Sequence, residues 1–302
     1  MRIGIFGGVA VDGGSIDTIV ADARTAAEQG FASYWLPQIF GVDALTTLAI
    51  VGREVPAIEL GTAVVPTYPR HPMMLAAQAR TVQAATGNRL TLGVGLSHKI
   101  VIENMLGYSF AKPATHMREY LSILMPLIRG EAADFDGEDL HAHLALSPID
   151  GAPCPVLVAA LGSKMLELAG SLADGTILWM TGPATVASHT VPTLTKAAEA
   201  AGRAAPRVAA GVPVCVTSDI DGTRDRAARV FAVYGTLPSY RAMLDAEGID
   251  GPADLAVIGD EAAVADGLRR FADAGVTELA ASEFGGSADE RSRTRALLQS
   301  LI

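Results

Sequence analysis

One unit recurs along the chain and restricts its fold more than any other feature: a short β-rich run, an alanine-rich stretch of helical period, a glycine stop, then another β-rich run. The runs are RIGIF (2–6), SYWL (33–36), ELGTAVV (59–65), RLTLGVGL (89–96), PVLVAAL (155–161), GTILWM (175–180), VAAGVPVCV (208–216) and TELAAS (277–282). Glycine ends helical stretches at Gly30, Gly87, Gly202 and Gly275, where a left-handed residue closes a helix at no steric cost. Strands joined by helical crossovers lie parallel, because a tight turn joins only antiparallel neighbours. Eight such units predict a (β/α)8 TIM barrel of the α/β class, one domain over residues 1–302, with its site at the C-terminal ends of the strands. The longest departure is residues 97–154, where the acidic turn FDGEDL precedes the alternating HAHLAL. That pattern predicts an insertion carrying a hairpin between strands four and five.

Half of the positions are apolar and 19% are charged, which suffices for one large core. A formal charge of −10 argues against a nucleic-acid binder, which needs a basic face to neutralise phosphates. MRIGIFGG enters a strand pattern without the layout of a signal peptide, and no apolar stretch approaches the length of a membrane helix. A soluble, cytoplasmic protein with no membrane partner is therefore expected. Cys154 and Cys215 lack a CxxC partner and lie far apart, which predicts two free core residues.

The fourth run raises the functional question. RLTLGVGLSHK is suited to burial, yet it opens into Gly93 and Gly95 just before Ser97 and His98. At the carboxyl end of a barrel strand, glycines leave room for a flat ligand and a polar pair faces it. Alternatively, the glycines relieve crowding inside the barrel and Ser97 caps a helix that begins near Lys99. A dinucleotide fingerprint fits poorly, because GVGLSH lacks the third glycine. The other strand ends supply Phe6, Gly7, Trp35, Gln38, Val64 through Tyr68, Trp179, Met180, Ser282 and Glu283. In a chain only 5% aromatic, such a rim describes a small-molecule or cofactor pocket. Arg70 and His71 precede Pro72 either as a helix cap or as contacts to an anionic ligand. His141 and His143 share one strand face with no third ligand nearby, so a solvated hairpin and no metal is expected. His116, Arg118 and Glu119 in THMREYL read as an exposed helix face.

The block GTAVVPTYPRHPMMLAAQARTVQAATGNRLTLGVGLSHK, together with RIGIF, YWLPQ and VIGDEAAVADGLRRFADAGVTEL, resembles the bacterial luciferase-like superfamily. Specifically, it resembles the branch of oxidoreductases that use the deazaflavin coenzyme F420. The resemblance covers nearly the whole chain and implies the same barrel, an insertion after strand four, and a homodimer. It implies that the third strand ends in a bulge with a non-prolyl cis peptide that presses on the middle ring of the deazaflavin. Thr62, Ala63, Val64, Val65 and Pro66 match that bulge, with Ala63–Val64 as the expected cis bond. It also implies that Gly95, Leu96 and Ser97, and then Ala160, Leu161, Gly162 and Ser163, hold the coenzyme. The second segment is physically apt, since Gly162 and Ser163 open a helix whose free N–H groups and dipole favour phosphate, with Lys164 beside them. Ser163 equally suits an ordinary N-cap.

Certain sugar-phosphate dehydrogenases of this superfamily carry a histidine after strand two and a glutamate after the GxG turn; here Gln38 and His98 stand there. Glutamine is neither acid nor base, so the candidate proton carrier is His98, with Glu283 as a second. The implied activity is hydride transfer between F420 and a small, fairly apolar organic substrate, in the direction of a reductase. Phe6, Trp35, Trp179 and Met180 would line the substrate side. Two alternatives stay open: an FMN-dependent monooxygenase on the same barrel, and a deazaflavin- or flavin-binding protein without catalysis.

Overall fold

The computed structural model describes residues 1–7 and 15–302. Eight parallel strands close a barrel in chain order: Arg2–Phe6, Ser33–Leu36, Glu59–Thr62, Leu90–Gly95, Val156–Val158, Gly175–Trp179, Arg207–Val216 and Glu278–Glu283. The barrel shuts where the eighth strand pairs with the first, Arg2 opposite Glu278 and Ile5 opposite Ala281. All eight runs read from the sequence are strands at these positions. The helices between them start on side-chain caps such as Ser15, Asp43 and Asp260, and the last carries a full capping box between Ser287 and Glu290. Gly30, Gly87, Gly202 and Gly275 all take positive φ at helix ends.

Side chains alternate along each strand and so sort into two layers. Outward residues such as Ile5, Leu60, Leu92, Val158 and Leu279 bury against the helices. Inward residues Phe6, Trp35, Leu157, Ile177, Ala209 and Ala280 fill the barrel. Its floor is polar. Glu278 accepts from Ser33 Oγ at 2.5 Å, from Trp35 Nε1 at 3.0 Å and from Arg207 at 2.9 Å, while Arg207 also donates to Thr91 Oγ1 at 3.0 Å. A carboxylate this deep persists only when it is paired and hydrogen-bonded; here strands two and seven contribute its partners, and Thr91 of strand four steadies the arginine.

The structure departs from the sequence reading in several places. The third run is not continuous: its strand stops at Thr62, the Ala63–Val64 peptide is cis, and pairing resumes over Val65–Pro66 against Val94 and Gly95. The Thr62 hydroxyl replaces the missing ladder, accepting from Gly93 N and donating to Gly93 O, both at 2.8 Å. Between strands four and five lie a π-helical turn (Ile100–Met105), a helix (Pro113–Arg129) and a hairpin pairing Ala133–Asp136 with His141–Leu144. On that helix only Arg118 of the expected exposed face is exposed; His116 and Glu119 are buried. The reason is the hairpin, which folds back so that Glu119 accepts the N–H groups of Glu138, Asp139 and Leu140 at 2.7, 3.0 and 2.9 Å. Burial opposes ionisation, but these three donors hold the Glu119 carboxyl below the usual glutamate range. His116 accepts or donates at 3.0 Å with Thr67 Oγ1 and stacks on Tyr68, ring centroids 3.9 Å apart. Three elements after the seventh strand were not foreseen: helices Ala232–Thr236 and Pro238–Glu247, and a short strand, Val257–Gly259, paired with Val214–Val216. Cys154 and Cys215 are free and buried, and burial pushes their thiols up to about 12 and about 11.

Candidate active site

At the C-terminal ends of the strands the inward layer opens. Phe6 and Trp35 are buried, whereas Ala63, Val64 and Trp179, packed on the same cluster, keep part of their surface free. These three mark the mouth, with the Trp179 ring centroid 5.1 Å from that of Phe6. The glycines of strand four face the bulge. A side chain at Gly93 would run into the Thr62 carbonyl, and one at Gly95 would stand 2.6 Å from Val64 Cγ2 and 3.1 Å from Ala159 Cβ. Gly93 and Gly95 therefore relieve crowding, and what they accommodate is the Ala63–Val64 bulge that reaches into the mouth.

Among the described residues, two rim residues other than glycine are left-handed: Ser97 after strand four (φ 59°) and Met180 after strand six (φ 51°). That conformation costs roughly 1–2 kcal/mol and gathers at functional sites. Ser97 caps no helix; the chain beyond it winds directly into the π-helical turn, whose N-cap position, Lys99, makes no side-chain capping bond. His98 is half-buried with its ring centroid 6.0 Å from that of Tyr240. Burial lowers its pKa from the ordinary 6.5, so at neutral pH the imidazole is uncharged and able to accept a proton.

After strand five, the helix Ser163–Leu172 begins on Gly162, not on Ser163, and has no side-chain cap bond. Gly162, Ser163 and Lys164 are all exposed, and a side chain at Gly162 would meet nothing within 4 Å. An uncapped, open helix start of ten residues leaves N–H donors and the positive end of the dipole available to an anion. Just before it, Ala160 is buried, Leu161 is half-buried, and the Leu161 carbonyl is 3.0 Å from His189 Nε2.

The remaining candidates divide. Trp35 is 1% exposed, its indole committed to Glu278 at the floor, so it lies beneath the mouth. Met180 is 1% exposed, buried in the cluster that also holds Phe231 and Leu244. Gln38 turns its Oε1 to the Ala44 N–H at 2.7 Å. Glu283 ion-pairs with Arg295, which also bonds Asp22 at 2.9 Å and Gln29 at 3.2 Å, so this carboxylate joins the outer helices rather than the interior. Arg70 is held by Asp43 and Gln78, and His71 Nδ1 caps the following helix by accepting from Met73 N at 3.2 Å. His143 sits exposed between Asp134 (2.7 Å) and Asp136 (3.1 Å), which raise its pKa. Among the described residues no group of three or more His, Cys, Asp or Glu side chains is arranged to hold a metal ion. Sequence reasoning missed Phe231 and Tyr234, which pack against Trp179, and Tyr240, which packs against Tyr234. The signal existed: FAVYGTLPSY is conspicuously rich in rings for this chain.

A closed parallel barrel whose strand ends carry an apolar mouth, left-handed rim residues and an open helix start defines a TIM-barrel enzyme. Residues 1–278 match the luciferase-like monooxygenase family, and the chain belongs to that family of oxidoreductases. It is 28% identical over 246 residues to the 5,10-methylenetetrahydromethanopterin reductase of Methanolobus tindarius, covering 81% of this chain and 74% of the relative. Its fold is similar to that of the coenzyme F420-dependent tetrahydromethanopterin reductase from Methanopyrus kandleri (TM-score 0.84, 20% identity, 100% and 98% of the two chains). It is also similar to the FMN-bound oxygenating constituent of 3,6-diketocamphane monooxygenase from Pseudomonas putida (TM-score 0.77, 16% identity, 99% and 96%).

Proposed function

We propose that the protein is a coenzyme F420-dependent oxidoreductase that reduces a small, fairly apolar organic substrate. The observation that carries this reading is the Ala63–Val64 bulge, seated over Gly93 and Gly95 with Val64 partly open to the mouth. The residues fit the coenzyme. Val64 offers a ridge for a flat ring system to lie across, Gly95 gives that ridge its room, Leu96 and Ser97 bring partly exposed backbone to the rim beside it, and Gly162 and Ser163 give an uncapped helix start for an anionic tail. When bound, F420 supplies or takes the hydride. The chain contributes position and exclusion of water: Phe6 and Trp179 form an apolar wall on the mouth, and His98 handles the accompanying proton. Because burial keeps His98 neutral at pH 7, it must first take up a proton before delivering one to a substrate undergoing reduction. The reductase relatives support that direction.

The FMN-bound neighbour of the same fold favours a second reading, an FMN-dependent monooxygenase. Titrating the purified protein separately with oxidised F420 and with FMN, and following quenching of each coenzyme's fluorescence, separates the two. Tight F420 binding with weak FMN binding supports the proposal; the reverse refutes it in favour of the monooxygenase.

A further inference from the structure

We propose that the substrate side of the mouth is an aromatic wall, built by residues 231–240 onto strand six, and that it selects a planar, ring-bearing substrate over a saturated one of equal size. This rests on catalysis taking place at the strand-end mouth.

The wall is continuous. Trp179, which also belongs to the barrel interior, lies 6.3 Å from Phe231 and 6.4 Å from Tyr234; Tyr234 lies 4.9 Å from Tyr240; Tyr240 lies 6.0 Å from His98. The first three pairs meet at 73°, 60° and 61°, the edge-to-face arrangement that ring quadrupoles prefer, and His98 is tilted by 59° to Tyr240. Trp179, Tyr234, Tyr240 and His98 are each only partly buried, so the wall keeps a free surface. It runs from the proton carrier after strand four to Phe6 on strand one, the two sides of the opening into which Val64 projects. Ring faces and edges attract another ring more than they attract a saturated carbon skeleton of the same area, whereas an aliphatic wall would make no such distinction. Burial holds the Tyr234 hydroxyl protonated, which leaves an O–H donor among the rings for a polar substituent of the substrate.

The test uses the coenzyme-loaded protein and two neutral probes of the same carbon framework, naphthalene-2-carboxamide and its fully saturated decahydro analogue, each titrated by calorimetry. Two ring–ring contacts, at about 0.5–1.5 kcal/mol each, correspond to roughly tenfold tighter binding of the flat amide, and to no less than about fivefold. Tyr234→Leu should bring the ratio to about threefold or less while coenzyme quenching is unchanged. Equal binding of the two amides, no binding of either, or a ratio unchanged in Tyr234→Leu overturns the proposal. The experiment runs with whichever coenzyme the protein binds, so an FMN result refutes the F420 reading without touching the wall.

Discussion

Replacing Gly95 by alanine tests how the bulge shapes the mouth. The added Cβ would stand 2.6 Å from Val64 Cγ2, against an ordinary carbon contact of about 3.5–4.0 Å, so roughly 1 Å must be absorbed. Retreat is blocked by Ala159 Cβ at 3.1 Å on the other side, which leaves Val64 to move toward the mouth. Overpacking of this kind costs about 1–3 kcal/mol, and because the displaced group is the ridge offered to the coenzyme, F420 affinity should fall roughly tenfold or more. Val64→Ala removes the offending methyl groups, so that Val64 Cβ at 3.6 Å is an ordinary contact and only the milder approach to Ala159 Cβ at 3.1 Å remains. Adding Gly95→Ala to Val64→Ala should therefore cost F420 affinity much less than Gly95→Ala costs the wild type, a coupling of about 1 kcal/mol or more in the double-mutant cycle. Fluorescence quenching by the four proteins gives the cycle, and thermal melts show that all are folded. Binding by Gly95→Ala within twofold of the wild type, or a double variant that loses the sum of the single losses, refutes the reasoning.

Two other perturbations follow from the same geometry. Glu278→Ala strips Arg207, Ser33 and Trp35 of their shared acceptor. Removing one side of a buried pair costs about 3 kcal/mol, at the low end of its range because Arg207 is partly exposed, and at roughly 0.6 kcal/mol per kelvin for a chain this long the Tm should drop by about 5 °C. Glu278→Gln should lose less, and a calorimetric shift under about 1 °C for the alanine variant refutes the assignment. For His98, burial sets the folded pKa below the unfolded 6.5, so the unfolded chain binds more protons below that value. The stability it contributes is then complete above pH 6.5 and declines as pH falls; urea unfolding at pH 5 and pH 7.5 should show that decline shrinking in His98→Ala. In turnover the sign is opposite: reduction should speed up as pH falls through the His98 pKa, and His98→Ala should remove that limb. A rate profile identical in both proteins would dismiss His98 as the proton carrier.

What the sequence reveals and what it hides follow from how far apart the interacting residues lie. The eight strands were legible because period and glycine stops are local. The Ala63–Val64 cis bond and the open helix start at Gly162 were reached because each stands at a fixed place in a matched motif. Gly93 and Gly95 showed that something needs space, but the neighbour that needs it is on another strand and belongs to a break in the ladder that a continuous β-rich run conceals. His116 and Glu119 looked like a solvated face because the covering hairpin comes about twenty residues later and has few apolar residues of its own to announce a contact.

Depth within the barrel is the hardest quantity to read, and the two tryptophans show why. Each lies near the end of its strand and each faces inward, so periodicity treats them alike. Their levels are set by the stagger of the closed sheet: Trp35 is level with Phe6 and Gly61 and has the floor beneath it, while Trp179 is level with Gly211 and stands higher, beside the residues after strand seven. The partner that fixes Trp35 downward, Glu278, is 243 residues away, and the rings that hold Trp179 at the mouth belong to helices with no regular place in the repeat. A tryptophan therefore becomes floor or wall according to the distant residues it meets, a buried carboxylate for Trp35 and aromatic rings for Trp179. That is why the substrate-facing surface of this barrel has to be assigned from cross-strand register and from the segment after strand seven, not from strand ends alone.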